Sequence, residues 1–71
     1  MFTINRYKVS SAMKAKGFTE KDLAARADLP VAFVEEVITG EARTRDLTPL
    51  LKLGAALGEN PFLLIQNQAA F

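Results

Sequence analysis

The chain has 71 residues, 49% of them apolar, and a formal net charge of +1. That describes one small domain over residues 1–71, too short to bury much more than about 60% of its unfolded surface and too apolar for a disordered tail. The absence of Cys and His excludes disulfides, thiolate or imidazole metal sites and histidine acid–base chemistry, so no metal or cofactor is expected and the cytoplasm is the expected location.

Asn5 is placed to cap a first helix running to Lys16, with Val9, Ala12, Met13 and the stem of Lys16 on one face. Gly17 is placed to end it in the left-handed conformation. Thr19-Glu-Lys-Asp22 has the form of a capping box, in which the hydroxyl accepts from the third helical N–H and the carboxylate reaches back. Leu23, Ala24 and Ala27 give the second helix, 20–27, a short apolar face. Asp28-Leu29-Pro30 breaks it, because the residue before a proline avoids the helical region and Pro30 suits the opening of another helix.

The third helix, 31–38, carries Phe33, Val34, Val37 and Ile38 as its apolar stripe and closes at Gly40. A charged loop, Glu41–Asp46, follows. Either Asp46 or Thr48 is placed to cap the fourth helix, 47–57, where Pro49 is tolerated in the first turn. Leu47, Leu50, Leu51, Leu53 and Leu57 make that helix strongly apolar, and Ala55–Ala56 allow close approach before Gly58 ends it. Asn60 is placed to cap a last helix, 61–67, from which Phe62, Leu63 and Ile65 are candidates to pack inward, with the direction of Leu64 open. With no alternating run of β-branched residues to signal a strand, the expected class is all-α, a compact five-helix bundle.

Neither a leader nor a membrane span is expected. Met1–Tyr7 lacks a continuous apolar core, and Pro61–Ile65 falls far short of the roughly 20 residues that cross a bilayer. Charge is unevenly spread: Arg6, Lys8, Lys14, Lys16, Lys21 and Arg26 load the first third, Glu35, Glu36 and Glu41 make the middle acidic, and Arg43 and Arg45 reverse the sign. Carboxylates accompany no nucleophile, metal motif or glycine-rich phosphate loop, so an enzyme is not expected.

Two short helices joined by a tight turn suggest a helix-turn-helix. The stretch GFTEKDLAARADLPVAFVEEVITG resembles the phage-repressor/Cro-type (XRE-like) helix-turn-helix family, with Gly17, Phe18, Thr19, Leu23, Ala24, Val34, Val37 and Gly40 in register without a gap. After the loop, DLTPLLKLGAALGENPFLL is similar to the family's fourth helix, its Ala-Leu-Gly ending and its fifth helix, so the resemblance covers about Val9 to Leu64. The departures fall on functional positions. The family's Gln at the start of the second helix is Glu20, the turn glycine is Asp28, the small polar cap of the third helix is Pro30, the base-contacting positions are Val31, Ala32 and Phe33, and the Glu-Asn-Gly ending is Ile38-Thr39-Gly40.

The resemblance implies a double-stranded DNA partner, a third helix in the major groove, and commonly a homodimer on two half-sites, here through the C-terminal helix. It makes Lys16, Thr19, Lys21, Arg43 and Arg45, with Lys14 beside them, the phosphate-binding candidates. Glu20, Val31, Ala32, Glu35 and Glu36 become the base-facing candidates. Apolar side chains can meet a thymine methyl and a carboxylate can accept from cytosine N4. Each has a plain structural alternative: Phe33 in the core, Val31 and Ala32 on a protein interface, the glutamates and cations on solvated faces, and Ala69-Ala70-Phe71 a frayed tail rather than part of a dimer seam. The segments LPVAFVEEVITGEA and LGAALGENPFLLIQ also look like the small N-terminal helical domain of cyanase, where this topology serves assembly; no active site carries over. A scaffold for protein association, with a partner on the third helix, is therefore the alternative to a DNA-binding regulator.

Overall fold

The computed structural model describes residues 2–40 and 42–65. Along the chain lie β1 (Phe2–Thr3), α1 (Arg6–Lys16), α2 (Glu20–Ala27), α3 (Val31–Thr39), β2 (Arg43–Thr44) and α4 (Thr48–Leu57), then a single 3-10 turn, Pro61–Leu64. The described residues thus hold four α-helices and a two-stranded sheet, not the five helices and absence of strands that periodicity predicts. Residues 66–67 of the expected last helix, the tail to Phe71 and Glu41 lie outside the described residues.

Local chemistry accounts for most helix ends. The Asn5 side chain accepts from the N–H groups of Tyr7 (3.0 Å) and Lys8 (3.2 Å). Gly17, Gly40 and Gly58 close α1, α3 and α4 in the left-handed region. Asp28 closes α2 in the same region at φ 56°, the conformation that a turn glycine would adopt without strain and that Asp tolerates better than most residues. α4 departs from expectation: Leu47 holds the capping position, no side chain caps it, and Thr48 and Pro49 are already helical. Pro49 lacks an N–H that would need a partner there, which lowers the need for a cap.

The sheet comes from long-range pairing that leaves no periodic trace in two-residue strands. β1 and β2 run antiparallel, Phe2 opposite Thr44 and Thr3 opposite Arg43. Beyond β1, Ile4 donates to the Ala42 carbonyl at 3.4 Å and Asn5 to the Leu64 carbonyl at 2.7 Å, while Ile4 also bridges Ile65. The N-terminal segment therefore joins the loop after α3 to the end of the chain's last turn.

Ile4, Val9, Leu23, Val34, Val37, Leu50, Leu53, Leu57 and Leu64 are fully buried, and no polar or charged side chain is buried among the described residues. Each large aliphatic side chain so placed contributes about 1.5–3 kcal/mol. Phe18, Phe33, Ile38 and Ile65 are partly buried against this core. At the last turn Ile65 packs against the core as expected and Leu64, whose direction was open, is buried, but Phe62 and Leu63 do not pack inward: they are 60% and 53% exposed. A 3-10 turn advances three residues per revolution, so the Asn5–Leu64 bond and the Ile4–Ile65 bridge turn Leu64 to the core and swing the preceding two outward. Leu47, at the cap of α4, and Leu51 within it are likewise exposed. The close approach expected at Ala55–Ala56 occurs instead at Gly54, where a Cβ would sit 2.9 Å from the Glu59 carbonyl oxygen and 3.2 Å from Pro61.

Candidate nucleic-acid interface

The elbow between α2 and α3 is fixed from both sides. The Thr19 hydroxyl accepts from the Asp22 N–H at 3.1 Å and the Asp22 carboxylate accepts from the Thr19 N–H at 3.0 Å. That backbone bond first, then the Thr19 hydroxyl, with the Arg26 charge adding to them, holds the Asp22 carboxyl below the ordinary aspartate value of 3.8. At the turn, Lys52 of α4 donates to the Asp28 carbonyl at 3.3 Å and lies 3.6 Å from its carboxylate. The carboxylate is almost fully exposed, so this pair orients the turn more than it stabilises the fold. Arg26 lies over the Phe18 ring, 4.6 Å from its centre.

Lys21, with Ala24, Ala25, Asp28, Leu29, Pro30 and Val31, lines an open depression in the angle of the two helices. A phosphate candidate and a base-facing candidate thus share one surface. Glu20 belongs to a different depression, formed with Ser10, Met13, Lys14, Phe18 and Ile38, toward α1 and the far half of α3. Lys16 lies elsewhere again: its amine is beside Gly58 at the C-terminal end of α4, where a Cβ would stand 3.5 Å from Nζ. A cation there complements the helix dipole. Thr19 is exposed, and its hydroxyl oxygen caps the helix.

On α3 itself Val31, Ala32, Glu35 and Glu36 are exposed, whereas Phe33 is half-buried against the core. This is the packing alternative for Phe33 and it removes that residue from the outward face. No side chain caps the helix at Pro30, and neither terminal turn carries a charge of the sign that would offset the dipole.

Arg6 is a residue that the sequence pattern did not single out for this region. Its guanidinium donates to the Thr39 carbonyl at 3.0 Å and to the Tyr7 hydroxyl at 2.9 Å. It also lies over the Tyr7 ring at 4.8 Å. The left-handed Gly40 leaves it room, since a Cβ there would come within 3.1 Å of the Arg6 side chain. Arg6 so supplies the missing cation at the C-terminal end of α3. A run of basic residues near the N-terminus gives no local sign of which one will do this. Beyond Gly40, Arg43 is exposed on β2 opposite Thr3, and Arg45 is exposed within a tight turn. The Thr44 hydroxyl pins that turn by donating to the Asp46 carbonyl at 2.9 Å and accepting from the Asp46 N–H at 3.1 Å.

A compact helical domain in which a capped helix, a left-handed turn and a second helix with an open outer face follow in sequence is a helix-turn-helix protein. A family model described as the Cro/C1-type HTH DNA-binding domain matches residues 8–62. The chain belongs to that family. Searches of curated proteins and of solved structures gave no match. Among the described residues no helix is long and apolar enough to cross a membrane.

Proposed function

We propose that this protein is a transcriptional regulator that binds double-stranded DNA by laying α3 in the major groove. The observation that carries the reading is the placement of Lys21 beside Val31 in the open elbow of the helix-turn-helix, within a chain of the Cro/C1-type DNA-binding family. Lys21 and the Thr19 hydroxyl contact phosphates on one side of the groove, while Arg43 and Arg45, held by β2 and the Thr44 turn, contact them beyond the other end of α3. Lys16, set against α4, adds to the positive field rather than to a direct contact. These cations must outweigh Glu35 and Glu36, each of which repels a nearby phosphate by roughly 1 kcal/mol in water.

The protein acts as a homodimer. Exposed Phe62 and Leu63, in the middle of the last turn, support a seam there, and two copies would meet half-sites about one helical turn of DNA apart.

Titration of the full chain against a random duplex at two salt concentrations tests the reading. Three cationic phosphate contacts, from Lys21, Arg43 and Arg45, give a slope of log affinity on log salt of about −3, and Arg43→Ala or Lys21→Ala removes about one unit. An exposed acidic and apolar α3 favours the alternative, a scaffold docking a basic protein partner. No duplex binding at about 50 mM salt decides for that alternative.

A further inference from the structure

The side chains on the outward face of α3 offer no hydrogen-bond donor to a base. Its side chains there are Val31, Ala32, Glu35, Glu36 and Thr39. The one hydroxyl among them, on Thr39, donates back to the Glu36 carbonyl at 3.0 Å. The nearest guanidinium, on Arg6, is committed to Thr39 and Tyr7.

From this we infer that the side chains of α3 read the pyrimidine edges of two base pairs, a cytosine together with a thymine on the same strand, and not the edges of the purines paired with them. The inference rests on the docking proposed above and deepens it by naming the bases read. Guanine presents the acceptors N7 and O6 to the major groove, and adenine presents the acceptor N7 beside its amino group. A carboxylate set over either purine faces the N7 lone pair, with no side-chain donor on the outward face of α3 to meet it. Cytosine presents its N4 amino donor with no N7 beside it, so a carboxylate is accepted there. Thymine adds a methyl group that an apolar side chain can cover.

The helix supplies both partners in register. Val31 and Glu35 lie one turn apart on one line of the surface, and Ala32 and Glu36 on the next. One turn separates the apolar contact from the carboxylate by about 6 Å, which is within two base steps of ~3.4 Å. The expected core of the half-site is a cytosine and a thymine within two positions of each other on the same strand. Reading the purine edge of either pair would require a side-chain donor that the outward face of α3 lacks.

The test is selection by the full chain from a duplex library with a randomised centre, at about 50 mM salt, followed by affinity measurements on the selected duplex. Cytosine and thymine should be enriched at neighbouring positions of one strand, cytosine by about tenfold. Replacing the selected thymine by uracil, which removes only the methyl, should weaken binding about threefold. Glu35→Gln or Glu36→Gln should change one selected cytosine to adenine, because an amide both donates to N7 and accepts from N6. Both glutamates are exposed, and an unchanged melting temperature in each variant excludes misfolding as the cause. Duplex binding that persists with the cytosine and thymine enriched on opposite strands, with no base preference, or with no change in either glutamine variant overturns the inference and leaves the DNA-binding reading standing. Absence of binding to every duplex overturns that reading and the inference with it.

Discussion

In α2 the polar side chains at the two ends serve the helix itself. Thr19 and Asp22 exchange bonds at its start, Arg26 covers Phe18 near its end, and Lys52 reaches across to the turn that closes it. In α3, by contrast, the helix opens at Pro30 without a side-chain bond, closes on a carbonyl held by Arg6, and leaves two carboxylates with no ion pair within reach among the described residues. Both helices bury their inner stripe equally well: Leu23, Ala24 and Ala27 on one, Val34 and Val37 on the other. The contrast teaches where function can reside. Polar groups already engaged in capping and packing have little left for a partner, whereas the outer face of α3 is held in place by others and is itself uncommitted.

The strongest way to break that contrast is to compare a buried residue of α2 with an outward one of α3. Leu23→Ala should cost about 2–5 kcal/mol in denaturant unfolding, a large share of what a domain this small possesses. Val31→Ala should stay within about 0.5 kcal/mol. A comparable loss from Val31→Ala would mean that the outer face of α3 is part of the core after all.

Removing the cap from α2 should have the next effect. Thr19→Ala is expected to destabilise by about 1 kcal/mol, whereas Glu36→Gln on α3 should leave the melting temperature within error. The turn between the helices gives an effect of similar size. Because Asp28 is left-handed at φ 56°, Asp28→Ala should fall about 1 kcal/mol below Asp28→Gly, the two variants having both lost the carboxylate that Lys52 approaches.

The smallest effect concerns acid. Bonds from Thr19 lower the folded-state value of Asp22 relative to the unfolded chain, so the ionised side chain adds stability above the unfolded value. That contribution is lost as pH falls through the folded one. Melting temperature followed from about pH 5 to about pH 2 should therefore decline less in Asp22→Asn than in the parent. An identical decline would show that the capping carboxylate has no linkage to folding.

The parts of the molecule legible in its sequence are those governed by neighbours within one or two turns. Asn5, the Thr19–Asp22 box, Gly17, Gly40 and Gly58 act where their spacing placed them. The stripes Val9-Ala12-Met13 and Leu23-Ala24-Ala27 are buried as periodicity required. The last turn was misread because Phe62, Leu63 and Leu64 are chemically alike, and hydrophobicity alone cannot rank three adjacent apolar residues. Among the candidate contacts, the sequence named the cations but not their partners. Lys21 joins Val31 in the elbow, Lys16 turns to α4, and Glu20 turns toward Lys14 and α1.

By itself the sequence determined four of the five helical segments it suggested, the side-chain caps of α1 and α2 and the family register, because capping bonds and helical periodicity act over a few residues. Only the tertiary structure decided that Ile4 would be buried between the Ala42 loop and Ile65, that Arg6 would hold α3 from 33 residues away, and that Lys52 would reach Asp28 across 24. Such contacts depend on the path of the backbone between them, and no local pattern encodes that path.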